Sequence, residues 1–484
     1  GGGSARPQEM PKTRRARRAE AARALLLELP LDLAVSLLTP LRSSDLARLA
    51  AAGRVLTPLV LATLWARAGV GAQLVREDEE CENESDERHT IRRLLELERR
   101  RASSCQPLAA ARAHSVFITH EGRLLSCGVE RTMGGSGLLG HGELSAPLSG
   151  LPTPTPIPSM AAIRIVSVSA SSYHSLALSH DHKVYSWGHG GCGQLGHGDA
   201  APCRQPRLIE ALAAMRVLIA AAGNTFSVAV TEAGETFSWG CGSGGELGQG
   251  EEWMLRLPER IPVLAGVTVR SVAAGARHTL AITSDGDLYS WGPHHPRLGH
   301  ATQVDDRTPK RVEALAGTAV SMVAAGSQHS LALTAQGQLL AWGEGLRGRL
   351  GLGTDETKHV PTPVKSMEGK RIVAMAAGGL HSCVVTDDGS VYSWGIGVHG
   401  QTGHGNGSCV SIPKKIEGLS GAKIVSIAAG AIHTIAAAVD GSVWGWGQVS
   451  ANGLEAALGL RRESAVNRYA PMRFPGLKVA VLQL

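Results

Sequence analysis

Residues Gly275–Trp291 read Gly-Ala-Arg-His-Thr-Leu-Ala-Ile-Thr-Ser-Asp-Gly-Asp-Leu-Tyr-Ser-Trp. A glycine opens the stretch, a histidine follows three residues later, and a second glycine follows the tryptophan. The frame recurs at Gly326–Trp342, Gly378–Trp394 and Gly430–Trp446, with small changes at Gly223–Trp239 and Ser171–Trp187, and as a worn copy at Ala111–Cys127. The slot held by His278 falls at 114, 174, 226, 278, 329, 381 and 433, in steps of 60, 52, 52, 51, 52 and 52 residues. The slot held by Trp291 lies 13 residues further on in all seven copies. A period of this length made of short strand-like segments marks a β-propeller, and seven copies predict seven blades.

One unit reads as four strands. Residues 267–274 supply the first, His278–Thr283 the second and Asp287–Trp291 the third, with Ser284-Asp285-Gly286 as the hairpin turn between the last two. A Gly-rich loop follows, and a short Pro-containing strand such as Pro258–Val263 suits the edge, where proline is tolerated. Ala273, Ala274 and Gly275 are small because inner strands crowd the axis. In the first copy Pro107 disfavours an inner strand, whereas the tail from Leu477 to Leu482 resembles the start of the seventh copy, Lys423-Ile424-Val425-Ser426-Ile427. That tail is therefore predicted to complete the first blade and leave no open sheet edge.

Composition agrees. Glycine is 60 of 484 residues and aromatics are 4%, as many tight turns and close backbones require, and 43% hydrophobic residues suffice for a large core. The net charge of +6 is concentrated at the start, where Arg14-Arg15-Ala16-Arg17-Arg18 is either a nuclear-import or nucleic-acid patch or a solvated basic tail. Gly-Gly-Gly-Ser at the very start is linker-like. None of the eight cysteines stands at CxxC spacing, which points to free thiols in a reducing compartment, cytoplasmic or nuclear, with no zinc site. No run of 18 apolar residues occurs, so no membrane span is expected.

The chain divides by pattern into a basic tail (1–23), a three-helix segment (24–70), an acidic linker with a short amphipathic helix (71–104) and the propeller (105–484). In the second segment apolar residues recur at helical spacing, and three short helices cannot bury all of their apolar surface alone. This segment resembles the F-box, through Leu29-Pro30, Asp32-Leu33, Leu37-Leu38, Leu41, Asp45-Leu46, Arg48-Leu49, Arg54 and Leu64-Trp65. It departs from that pattern at Ala50–Gly53, where the family usually has a Val-Cys-like pair. The resemblance implies an α-helical surface that binds the Skp-type adaptor of a cullin ubiquitin ligase, with Leu29, Pro30, Leu33, Leu37, Leu41, Leu46, Leu49 and Trp65 as contacts. The alternative is a helical cap on the propeller.

The repeats resemble the regulator-of-chromosome-condensation family, whose units carry G-x-x-H-(S/T), then D-G-x-(V/L)-(Y/F)-S-W-G, then a Gly-rich loop ending in L-G-x-G. The frame is explicit at His174–Gly198, His278–Gly299, His329–Gly353, His381–Gly405 and His433–Gly459. Founding members are exchange factors for the GTPase Ran and use an insertion in one blade. The uniform spacing of copies two to seven here argues against that activity. Plant UV-B receptors of the family place Trp in G-W-R-H-T; here Ala276, Ser327, Gly379 and Ala431 hold that place, and only Arg277 matches.

No catalytic set stands out from the repeats, and neither a metal nor a cofactor is expected. The histidines at 174, 278, 329, 381 and 433 are spread one per blade, so a structural role is expected for them: a hydrogen bond from the ring to nearby backbone that pins the blade turn. Trp187, Trp239, Trp291, Trp342, Trp394 and Trp446 are expected in the core. GxGxxG occurs four times, from Gly188, Gly240, Gly343 and Gly395, but turns rather than helices follow, which excludes a dinucleotide site. The expected function is that of a monomeric, non-catalytic adaptor that captures protein partners by its loops. The candidate contacts are Trp253, Arg256, His294, His295, Arg297, Arg347 and Arg349. A small-GTPase exchange factor and a chromatin- or cytoskeleton-associated scaffold are the alternatives.

Overall fold

The computed structural model describes residues 106–129, 137–143, 150–293, 296–301, 306–448 and 469–480. All of them lie in the compact unit Ser103–Gln483. The basic tail, the F-box-like segment and the acidic linker fall outside the described residues. Every turn signal in the repeat becomes a reversal of the chain, and the result is seven four-stranded antiparallel sheets, each a meander of consecutive strands.

The fourth blade shows how the opening stretch folds. Its strands are Val269–Ala274, Thr279–Thr283, Leu288–Gly292 and Asp306–Arg311. The second strand is buried along its whole length, and the third is buried except at Tyr289. Asp285-Gly286 makes the hairpin turn between them, with Gly286 at φ 89°, a left-handed conformation that favours glycine. The outer strand of the third blade runs Met254–Arg260 rather than Pro258–Val263; Pro262–Leu264 forms a 3₁₀ turn behind it. Proline fits the first turn of such a helix, because its missing N–H is one that the turn leaves unused.

Six tryptophans, at 187, 239, 291, 342, 394 and 446, are fully buried between neighbouring blades, and Cys127 fills the same slot, also buried, in the first. The opening glycine of the unit faces the axis. A side-chain carbon at Gly275 would stand 2.5 Å from the Gly326 carbonyl oxygen of the next blade, and one at Gly430 would stand 2.3 Å from that of Ala111. Inner strands meet there backbone to backbone, which is why the slot stays small.

Ring closure differs from the sequence expectation. The first blade has its own inner strand, Leu108–Ala110, paired with His114–Ile118. Pro107 is tolerated beside it because only its carbonyl is used, as acceptor for Ile118 N at 2.9 Å. The tail splits its service. Met472–Lys478 is the outer strand of the seventh blade, and Val479 then crosses to pair with Thr119 of the first. Val479 N donates to Gly441 O at 3.0 Å and Ala480 N to Ile118 O at 2.9 Å. Val479 thus takes the first position of an inner strand, the place of Ile165 or Ile424 in other blades.

Candidate partner-binding face

An up-and-down meander puts its first and third connections at one end. Among the described residues these are the turn before the histidine slot and the Gly-rich loop, so they gather on one face. Beneath that face the joints between blades are built from three repeated side chains. Each slot histidine points its Nε2 at the hydroxyl that follows the slot in the next blade. His114 reaches Ser175 at 2.7 Å, His174 reaches Ser227 at 2.7 Å, His278 reaches Ser330 at 2.8 Å and His329 reaches Ser382 at 2.8 Å. His381 reaches Thr434 at 2.7 Å, and His433 closes the circle on Ser115 at 3.0 Å. The bond is therefore made across the joint to a side chain, not to backbone within the blade as the sequence suggested.

The hydroxyl passes the bond on. Ser227 donates to Gln194 O, Ser330 to Arg297 O, Ser382 to Arg349 O and Thr434 to Gln401 O. The tryptophan of the same blade donates its Nε1 to that same carbonyl: Trp239 to Gln194, Trp342 to Arg297, Trp394 to Arg349 and Trp446 to Gln401, at 2.8–2.9 Å. A hydroxyl that has given away its proton accepts one, so each histidine in these joints carries a proton on Nε2. Burial disfavours a second proton on the ring. It lowers His114 to about 4 and, as the largest cause, His174, His329, His381 and His433 to about 3. One joint lacks the bond. Phe226 holds the slot in the third blade, and the Thr279 hydroxyl opposite it is buried without a hydrogen-bond partner.

The seven turns surround a cavity of about 120 Å³ at the axis, lined by small side chains and backbone with Arg112 and Asn224 among them. Ser327 N donates to Gly378 O and Gly379 N to Gly430 O across its mouth, at 3.2 and 3.0 Å. A volume this small holds a few waters rather than a cofactor. Among the described residues no group of three or more His, Cys, Asp or Glu stands together to hold a metal ion.

The rim of loops is where the copies diverge. Trp253 is 60% exposed, Leu346 51% and Val398 45%, and Arg256 and Arg347 are exposed beside them. Arg297 and Arg349, expected as contacts, are instead buried. Arg297 donates to Ser327 O at 3.1 Å and to the Gln328 side chain. Arg349 pairs with Glu344 at 2.9 Å. Burial pulls Arg297 down to about 10, which leaves it charged. His294 and His295 lie outside the described residues. Leu346 and Val398, which the sequence reading missed, stand at the same position of adjacent loops, Gly-x-Gly-Leu-Arg-Gly and Gly-x-Gly-Val-His-Gly; an apolar residue at the tip of a glycine-rich turn was the available signal. Glu246 was also missed. Its buried carboxylate takes Arg277 of the next blade at 2.8 Å and Gly244 N at 2.8 Å, bridging the one joint that has phenylalanine in the histidine slot.

Comparison with known proteins supplies the family. The family model for the RCC1-like domain matches residues 68–436. The chain is 39% identical over 333 residues to the E3 ubiquitin-protein ligase HERC2 of Homo sapiens, a match that covers 68% of this chain and spans 7% of that protein. It is 34% identical over 343 residues to the ultraviolet-B receptor UVR8 of Arabidopsis thaliana, covering 70% of this chain and 76% of that one. Among solved structures, Prp20p from Saccharomyces cerevisiae, studied for its binding to Gsp1p and histones, superposes with a TM-score of 0.62 at 24% identity, over 76% of this chain and 86% of that one. Human WBSCR16 superposes with a TM-score of 0.60 at 22% identity, over 69% and 87%. Period, blade architecture and these likenesses agree, and the chain belongs to the RCC1-like domain family of seven-bladed propellers.

Proposed function

We propose that the protein is a non-catalytic adaptor whose propeller captures a protein partner with its loop-bearing face. The observation that carries this is the contrast on that face: a buried ring of repeated hydrogen bonds beneath, and Trp253, Leu346 and Val398 exposed above it beside Arg256 and Arg347. Exposed aromatic and apolar anchors flanked by arginine are the composition of binding hot spots. In this proposal the F-box-like segment 24–70 recruits a Skp-type adaptor and, through it, a cullin ligase, so the captured partner is a ubiquitylation substrate. The likeness of the repeats to HERC2, itself an E3 ubiquitin-protein ligase, supports a place in ubiquitin transfer. Action in the cytoplasm or nucleus follows from the same proposal; among the described residues no helix is long and apolar enough to cross a membrane.

The test is a crosslinking pull-down with the full chain. The Leu33→Asp/Leu37→Asp variant is expected to lose the Skp-type adaptor and keep the substrate, and failure of the unaltered chain to recover any adaptor removes the ligase part. Acceleration of labelled-GDP release from a small GTPase would replace the adaptor proposal with an exchange factor.

A further inference from the structure

The loop rim has a register of its own. The fourth residue after the post-tryptophan glycine of one blade stands against the first residue after that glycine in the next. Two pairs show it directly. His399 Nδ1 lies 3.0 Å from Gln448 Oε1, and a side-chain carbon at Gly244 would stand 2.5 Å from Cβ of Pro293. Between the second and third blades the same two positions hold Cys192 and Cys241.

The local geometry agrees. A side-chain carbon at Gly240 would stand 3.2 Å from the Gln194 Cα, so the Cys192–Gln194 loop lies directly on the strand that ends in Cys241. Trp239 Nε1 and Ser227 Oγ fix that loop by donating to Gln194 O. The Gln194 Oε1 accepts the Cys192 N–H at 2.9 Å, and Cys241 is held by Thr225, which takes its N–H and donates to its carbonyl. Cys241 is close enough to add to the effect of burial on the Cys192 thiol. Both are free and half-buried, so a small oxidant reaches them.

We propose that Cys192 and Cys241 form a site of reversible oxidation, a disulfide that straps the second blade to the third on the loop-bearing face. The co-reactant is hydrogen peroxide. The sulfur of one cysteine attacks the peroxide, the O–O bond breaks, and a sulfenic acid and water are produced. The second sulfur then attacks the sulfenic sulfur; the S–S bond forms, the S–O bond breaks, and hydroxide leaves as water with the second thiol's proton. Two electrons pass from the two sulfurs to the peroxide. Burial, and next the neighbouring Cys241, hold the Cys192 thiol above its ordinary pKa. Little thiolate is then present at neutral pH, and the pair reacts faster as pH rises. Of the remaining described thiols, Cys127 and Cys383 are buried, Cys203 half-buried and Cys409 exposed.

The experiment treats the full chain with hydrogen peroxide at neutral and at mildly alkaline pH, blocks remaining thiols by alkylation, and maps peptides by mass spectrometry. The expected result is one peptide joining Cys192 to Cys241, formed faster at the higher pH, undone by dithiothreitol, and absent from both the Cys192→Ser and the Cys241→Ser chains. Separate oxidation of the two thiols without a joined peptide overturns the assignment. So does persistence of both as free thiols while Cys409 is oxidised.

Discussion

The buried joints and the loop rim above them are built from the same repeat, yet one keeps its chemistry from blade to blade and the other changes it. Within the joints the slots hold histidine, Ser or Thr, and tryptophan: the histidine bonds to the hydroxyl, and the hydroxyl and the tryptophan both donate to one loop carbonyl. On the rim, a slot only two residues before that carbonyl holds Cys192, Gly244, Arg347 and His399 in four of the blades. The difference teaches what each layer is for. A joint has to satisfy buried polar groups in one geometry, so its solution is copied. A rim position meets solvent or a partner, so it is free to vary.

Acid is the strongest way to break the ring half of this comparison. The buried histidines titrate near 3–4 when folded and near their ordinary 6.5 when unfolded. Between those values the unfolded chain binds more protons, so this stability is fully present above pH 6.5 and is lost as pH falls toward 4. Each such ring removes about 1.4 kcal/mol per pH unit within that window. Urea titrations at stepped pH are expected to show several protons taken up on unfolding near pH 5; uptake of none would remove the neutral buried ring.

Next in size is a single joint. Trp342→Ala deletes a fully buried indole and its bond to Arg297 O, and is expected to cost about 3–5 kcal/mol in urea unfolding. A finer cut compares two threonines. Thr434 accepts from His381 and donates to Gln401 O, whereas Thr279 faces Phe226 and is unpartnered. Thr434→Val is expected to cost about 1–3 kcal/mol and Thr279→Val to be neutral or slightly stabilising. Equal losses would mean that the relay across the joints does not hold them. At the small end, Trp253→Ser, Leu346→Ser and Val398→Ser each change stability by no more than about 0.5 kcal/mol, because their side chains already meet water.

The layers also differ in how far they could be read from sequence. The blade count was legible because strand, turn and tryptophan signals recur together on a regular period. The relay was half legible. A Ser or Thr follows the slot in every copy, but its partner lies about one repeat away, and only the fold brings it across the joint. The tail was read from Leu477 to Leu482 as an inner strand of the first blade, and within it Val479 and Ala480 do bond to that blade. It was misassigned as a whole because its preceding residues serve the seventh blade first. Arg297 and Arg349 were misread as contacts because position in a loop does not reveal which way a side chain turns. Gln194, Glu246 and Gln401, at the corresponding positions of other blades, are buried too.

The most direct measurement pairs stability with capture on one variant. The full chain carrying Trp253→Ser, Leu346→Ser and Val398→Ser is compared with the unaltered chain by thermal unfolding and by crosslinking pull-down of protein partners. An unchanged melting temperature together with loss of the partners that the unaltered chain recovers is the predicted result. Recovery of the same partners at undiminished yield would contradict it.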